Sequence, residues 1–333
     1  MISIEIDFIY FFVSLFFLHR CLVSVSSEEN KNLLLLYWMG TSFLGFLFLL
    51  SLSRWGIIGF GWETKSFFLV LTKFNLILFF TYQTLEERIF SFRRSIGFLL
   101  TLLLFVFFSS FFFWIQIFQT EIHAEDQALF LPFTIAVGAF VWSREMFWTN
   151  PNPMESKLGE GKNIHLSFLF LPCFLYVLSP FTTNYGFVEM IASVLLVSIS
   201  SLVGFLLISQ ILKVSIPEEA EMGVWVGTVS FSSSLGAELL VTIPLAFFVG
   251  MFARGMYFYL DGLDWSRSGK RGVVAFLIPS ILGIFLPFLV REPKDWVHAP
   301  YVLLGVQVLY FLSFYLVSSL VFGVLLLFKP KSE

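Results

Sequence analysis

Uninterrupted apolar runs of eighteen or more residues recur from about residue 8 to residue 328 of this chain. Runs of that length choose the solvent: a chain that repeats them folds in lipid, where about twenty apolar residues make one helical crossing. They are continuous rather than alternating, which selects helices over a barrel. Only in a helix does each backbone group find its partner within its own segment. With 58% hydrophobic and 13% charged residues and a mean hydropathy of +0.87, the 333-residue chain has too little charge to cover a soluble core. The fold class expected is all-α, a polytopic helical membrane protein.

Spans are expected at about 8–24, 33–52, 66–83, 96–118, 128–147, 164–181, 187–212, 237–259, 272–291 and 301–328, ten in all. The loops between them are short, so residues 1–333 read as a single integral membrane domain in contact with the bilayer. No internal repeat stands out. The formal charge of −3 is not informative about partners, and no basic cluster suits nucleic acid. Cys21 and Cys173 lie in or beside apolar runs without a CxxC context, which argues against a disulfide framework or a structural metal.

Basic residues assign the sides. Glu5 and Asp7 precede the first apolar run and His19 and Arg20 follow it, the reverse of a signal peptide, so the N-terminus is expected outside. Arg88, Arg93 and Arg94 mark one cytoplasmic loop, and Lys157 and Lys162 another. "QTEIHAEDQ" between them has no Lys or Arg and belongs outside. The same alternation places "KVSIPEEAEMG" in the cytoplasm of what is expected to be a bacterial inner-membrane protein.

Residues 223–259 break the pattern, since 37 residues are few for two spans and a turn and generous for one. "GVWVGTVSFSSSLG" is small, Ser-rich and weakly apolar. Residues 213–236 are therefore read as a cytoplasmic acidic loop followed by an interfacial or re-entrant segment, which gives ten spans and an outward C-terminus. The alternative is a short span, giving eleven. That count places Arg267, Lys270, Arg271, Lys329 and Lys331 inside, as the charge rule prefers.

Charged residues within apolar runs are the candidate functional residues, because each costs about 2.5–3.5 kcal/mol at a helix centre on insertion scales. Lys73 lies within "SFFLVLTKFNLILFF", two residues from Asn75, and either snorkels or pairs with an intramembrane carboxylate. Glu189 and Glu238 open the seventh and eighth expected spans, each as an interfacial end charge or part of a proton path. Arg254 sits towards the end of its span, where snorkelling is the expectation. The four histidines are scattered, with no HExxH or paired spacing, and neither a P-loop nor GxSxG occurs. No catalytic set is marked, so whether the chain is an enzyme stays open.

The acidic stretch is the densest candidate. Glu218, Glu219 and Glu221 follow Lys213 and Pro217 and run directly into Met222, Val224, Trp225 and Val226. It is either a wet loop or a site in which carboxylates against an apolar segment exchange protons near neutral pH. Lys213 would hold one of those carboxylates charged.

In this stretch the sequence resembles the quinone-site membrane subunit of respiratory complex I, a family shared with membrane-bound hydrogenases. That family has a basic residue before "PFDLPEAEAEL", then "GYxVEYSG" and a span ending "LFLGGW". Lys213 with "VSIPEEAEM", then "GTVSFSSS" and "FYLDGLDW" stand in those places here. "LVREPKDW", about forty residues from the end, is similar to the family's "VRxxxPRxR". The likeness covers roughly residues 205–333. It implies that Pro217, Glu218, Glu219 and Glu221 line a quinone cavity, with no cofactor bound directly beyond the quinone itself. It also implies other membrane or peripheral subunits as partners. Ser230 stands where the family has the EYSG glutamate, Lys294 lies near the second arginine's place, and the family's N-terminal motifs are missing.

Three functions follow. The chain is a membrane subunit of a proton-handling, complex-I-like or hydrogenase-like redox complex. Alternatively it is a secondary transporter or channel for a small solute, ion or lipid, as short loops, Pro244, Pro279 and Pro287 within helices, and the broken "SFSSSLGAEL" suggest. The third is a structural or assembly subunit in which intramembrane polar groups join helices.

Overall fold

The computed structural model describes residues 27–54, with Asn75 and several positions between 11 and 25, and residues 187–213, 220–231, 234, 237–263, 270, 272–290 and 300–327. The elements among them are helical: α1 (Glu28–Arg54), α2 (Phe187–Ile211), α3 (Ala220–Phe231), α4 (Leu239–Asp261), a π-helical turn (Val273–Leu277) continuing as α5 (Ile278–Val290), and α6 (Pro300–Leu327). Ala192–Ile211, Leu239–Asp261 and Val273–Val290 are long and apolar enough to cross a bilayer. The protein is thus a helical membrane protein. Apart from Asn75, the expected spans at 66–83, 96–118, 128–147 and 164–181 lie outside the described residues. Met1–Glu121 with Leu325–Glu333 form one compact unit and Ile122–Val324 a second.

In the second unit the usual distribution of side chains is inverted. On α4 the buried face is Thr242, Ala246, Val249, Gly250, Ala253, Arg254, Tyr257 and Leu260, spaced by three and four. The opposite face exposes Leu240, Phe248, Phe252 and Tyr259. Small and polar residues face protein and large apolar ones face outward. This is the pattern for helices in lipid, where packing is driven by close backbone approach rather than by hiding oil from water.

The approach is close because of particular glycines. A Cβ at Gly250 would stand 2.0 Å from the Ser201 carbonyl oxygen, and one at Gly204 would stand 2.1 Å from that of Phe247. These two glycines therefore seat α4 directly on the α2 backbone. Gly223 and Gly227, a GxxxG pair, do the same for α3. Their Cβ positions lie 2.9 Å from Phe205 Cβ and 2.7 Å from Ser201 Cβ.

Side-chain bonds fix the directions. The Ser200 hydroxyl bonds the Ile243 carbonyl at 2.7 Å, and Arg254 Nε donates to Ser209 Oγ at 2.8 Å. Residue numbers rise together along α2 and α4, so the two helices run parallel. Along α3 they fall against α2: Gly223 meets Phe205, Gly227 meets Ser201, and Thr228 meets Ser198 at 2.9 Å. The third segment is therefore antiparallel to its two neighbours. The Trp225 and Phe276 rings meet at 5.8 Å, tilted by 50°, and Gly283 faces the Ser230 carbonyl, so the α5 segment runs with α3.

The π turn has a local cause. Pro279 lacks an N–H, and its ring crowds the carbonyl four residues back, at Ala275. The ladder widens just ahead of it, where the Ile278 N–H bonds Val273. At this same end of the unit α2 ends at Ile211, and Lys213 just beyond it has a φ of 53°, the left-handed turn that usually ends a helix at glycine.

Candidate functional site

The centre of the second unit is a polar seam built around α3. From Met222 to Phe231 every residue of this twelve-residue helix is buried. Along α2 the residues Ser198, Ser201, Phe205 and Ser209 follow helical spacing and are all buried. Ser198 and Thr228 share a hydroxyl–hydroxyl bond at 2.9 Å, and each also bonds a carbonyl four residues back, at Val194 and Val224. Ser280 bonds the Phe276 carbonyl at 2.6 Å. Bonding back to the i−4 carbonyl lets a hydroxyl lie in an apolar bundle without an external partner. The hydroxyls of Ser201, Ser230 and Ser234 are buried and bond no protein group.

At one end of the seam lies Arg254, with a relative exposure of 0%. Snorkelling, the expectation from its place near a span end, does not describe it. Its side chain turns inward because α4 presents it on the Gly250 face, where the α2 backbone is nearest. Its Nε donates to Ser209 Oγ, which in turn donates to the Phe205 carbonyl at 3.1 Å. The guanidinium carbon lies 5.6 Å from the Phe205 ring centre and 5.4 Å from that of Tyr257. Both are within the roughly 6 Å over which a ring face attracts a cation. A planar, weakly hydrated guanidinium suits such a slot better than an ammonium.

The other sequence candidates are dispersed. Lys213 is exposed at the end of α2, and its backbone N–H bonds the Gln210 carbonyl at 3.0 Å. Glu221 is half-buried in the first turn of α3, at the same end of the bundle. Glu238 is exposed at the N-cap of α4 and makes no side-chain capping bond, which suits an interfacial end charge. Glu189 is the third residue of α2. Lys73, Glu218 and Glu219 lie outside the described residues. Among the described residues no three His, Cys, Asp or Glu side chains gather as a metal site would require.

Sequence reasoning overlooked Ser198, Ser201, Ser209, Thr228, Phe205 and Tyr257. A usable signal was there: GxxxG at 223 and 227, and serines three apart at 198 and 201 on an otherwise apolar helix. In the first unit a separate polar chain ties three segments. Trp38 Nε1 donates to Asn75 Oδ1 at 2.6 Å, Asn75 Nδ2 donates to Ser14 Oγ at 2.6 Å, and Ser14 donates to the Phe11 carbonyl at 2.7 Å. Asn75 itself is fully buried.

No protein family and no curated protein matches the sequence. In fold the chain is similar to solved structures, among them Rh50 of Nitrosomonas europaea, from the Rhesus protein family of channels. That likeness has a TM-score of 0.66 at 15% sequence identity, over 97% of this chain and 89% of that one. At such identity it speaks for the fold.

Proposed function

We propose that the protein is a membrane channel or transporter for a small solute. The observation that carries this is the fold likeness to a channel over nearly the whole of both chains. The buried hydroxyl seam around α3 fits it, because a route for a polar solute needs hydrogen-bonding groups that are held in place but not all used up by the protein. A membrane subunit of a redox complex gains no support from a likeness to a channel.

The reading includes a topology. An α2 and an α4 that run parallel, joined through an antiparallel α3, describe three consecutive crossings rather than two with a re-entrant segment between them. A helix of 12 residues is about 18 Å long, short of the roughly 30 Å hydrocarbon core, so α3 by itself covers part of the middle crossing. Eleven spans follow if the rest of the chain crosses as expected. The basic residues after α4 then share a side with Lys213, in accord with the charge rule.

Two measurements test this. Purified protein in liposomes should pass small solutes faster than empty liposomes do; flux equal to the empty control would refute transport. With Cys21 and Cys173 replaced, Lys213→Cys and Leu263→Cys should be labelled from the same side of the membrane. Labelling from opposite sides would restore the ten-span reading.

A further inference from the structure

The π turn at the head of α5 is where, among the described residues, the helical ladder changes step. The Ile278 N–H bonds Val273, five residues back. The Val274 carbonyl then has no donor in its own helix. Ile278 would be its α-helical partner, and its π-helical partner, Pro279, has no N–H. If the turn tightened to α geometry, Ile278 would bond Val274 and the vacancy would pass to Ala275, whose α-helical partner is Pro279. Val274 and Ala275 are both buried, at 0% and 4% exposure. One buried carbonyl is left over in either register, so the count of ladder bonds favours neither. Side-chain packing is equally tolerant: Val273, Val274 and Ala275 are all buried, small and apolar, so one can take another's place as the turn rotates.

Two contacts depend on the register. A π turn holds one residue more than an α turn, so tightening it turns the residues ahead of it by about 100° and shifts them by about 1.5 Å. Phe276, inside the turn, has its ring 5.8 Å from that of Trp225, a buried residue of α3. Lys270, ahead of the turn, bonds Asp261 at the end of α4 at 2.9 Å. Beyond the turn the helix is seated. A Cβ at Gly283 would lie 3.1 Å from the Ser230 carbonyl oxygen, so α3 and α5 touch backbone to backbone there. A change of register therefore moves the head of the segment and leaves the rest in place. We propose that the π turn is a register switch that opens and closes the crevice between α3 and α5. In the π register Phe276 lies against Trp225 and closes that crevice as an apolar constriction, and in the α register it swings clear. The exposed bond from Lys270 to Asp261 is a light latch on the π register. The inference rests on the transport reading for what the switch controls, but the change of register is measurable without transport.

The experiment uses the full-length protein, labelled with fluorotryptophan and followed by fluorine NMR in detergent. The Trp225 line is assigned by its loss in Trp225→Phe, and Phe276→Leu gives its position with the facing ring removed. Pro279→Ala supplies the missing N–H, so every carbonyl of the turn finds a donor in the α register, by far the commoner geometry. It should move the Trp225 line at least half of the way to the Phe276→Leu position. Asp261→Asn, at an exposed position, should move it in the same direction by less, and serves alone if Pro279→Ala does not fold. In liposomes Pro279→Ala should pass solute at least twofold faster than wild type. A Trp225 line that neither variant moves would overturn the switch. A line that moves while a measurable flux stays at the wild-type rate would overturn its role as a gate. If neither wild type nor variant passes solute, a moved line leaves the register switch standing and sinks the transport reading instead.

Discussion

The Gly250 contact offers the sharpest test of how the bundle is held. In Gly250→Ala the new methyl would stand 2.0 Å from the Ser201 carbonyl oxygen, 2.7 Å from its carbon and 2.9 Å from its Cα. All three are backbone atoms, so no side chain can swing aside. A carbon approaches a carbonyl oxygen no closer than about 3.3 Å, so α2 and α4 would have to separate by roughly 1.3 Å. Arg254 is one turn further along on the same face, and such a shift would stretch its 2.8 Å bond to Ser209 beyond hydrogen-bonding range. Overpacking of this kind costs about 1–3 kcal/mol, and loss of a bond to a charged group about 1.5–3. A destabilisation of about 3–5 kcal/mol is expected. Gly255→Ala is the control, because Gly255 is exposed and nothing lies within 4 Å of its Cβ position. It should be neutral or gain up to about 1 kcal/mol of helix propensity. Unfolding in mixed micelles with increasing denaturing detergent, followed by tryptophan fluorescence, would report both. A Gly250→Ala protein within about 0.5 kcal/mol of wild type, the usual scatter of harmless surface changes, would refute the close-crossing argument. So would a Gly255→Ala protein that loses as much.

Two further outcomes can be checked in the same way. Arg254→Lys keeps the charge but not the Nε donor or the planar face between Phe205 and Tyr257, so it should lose about 2–4 kcal/mol. Wild-type stability in that variant would return Arg254 to the snorkelling reading. Asn75→Leu removes the acceptor of Trp38 and the donor to Ser14, and at the modest worth of interhelical bonds in lipid it should cost about 1–3 kcal/mol. An unchanged unfolding curve and an unchanged Trp38 emission would show that the chain from Trp38 to Ser14 holds nothing together.

The membrane class was legible because it depends on run length alone: α2, α4 and the segment from Val273 to Val290 lie where their apolar stretches place them. The direction of α3 was harder to read, for a physical reason. Its twelve residues hold a single serine, Ser230, and are apolar enough, but they are too few to be recognised as a crossing by run length. Arg267, Lys270 and Arg271 favour the eleven-span topology proposed above, whereas segment length and polarity favour ten. Arg254 was misread on similar grounds. Distance from a helix end says whether a long side chain could reach water, but not which face carries it. The face is set by Ala246, Gly250 and Ala253, whose small size brings the α2 backbone against that side of α4. Once that face is inward, an arginine one turn after Gly250 has no route to solvent along the helix surface. It has to be met by a hydroxyl and two rings instead. Ser209, Phe205 and Tyr257 are ordinary residues for an apolar helix, and they become a site only when α2 and α4 run in the same direction. Charges in a membrane sequence are visible one at a time, whereas the groups that hold them are set by the register between helices, which the small residues decide.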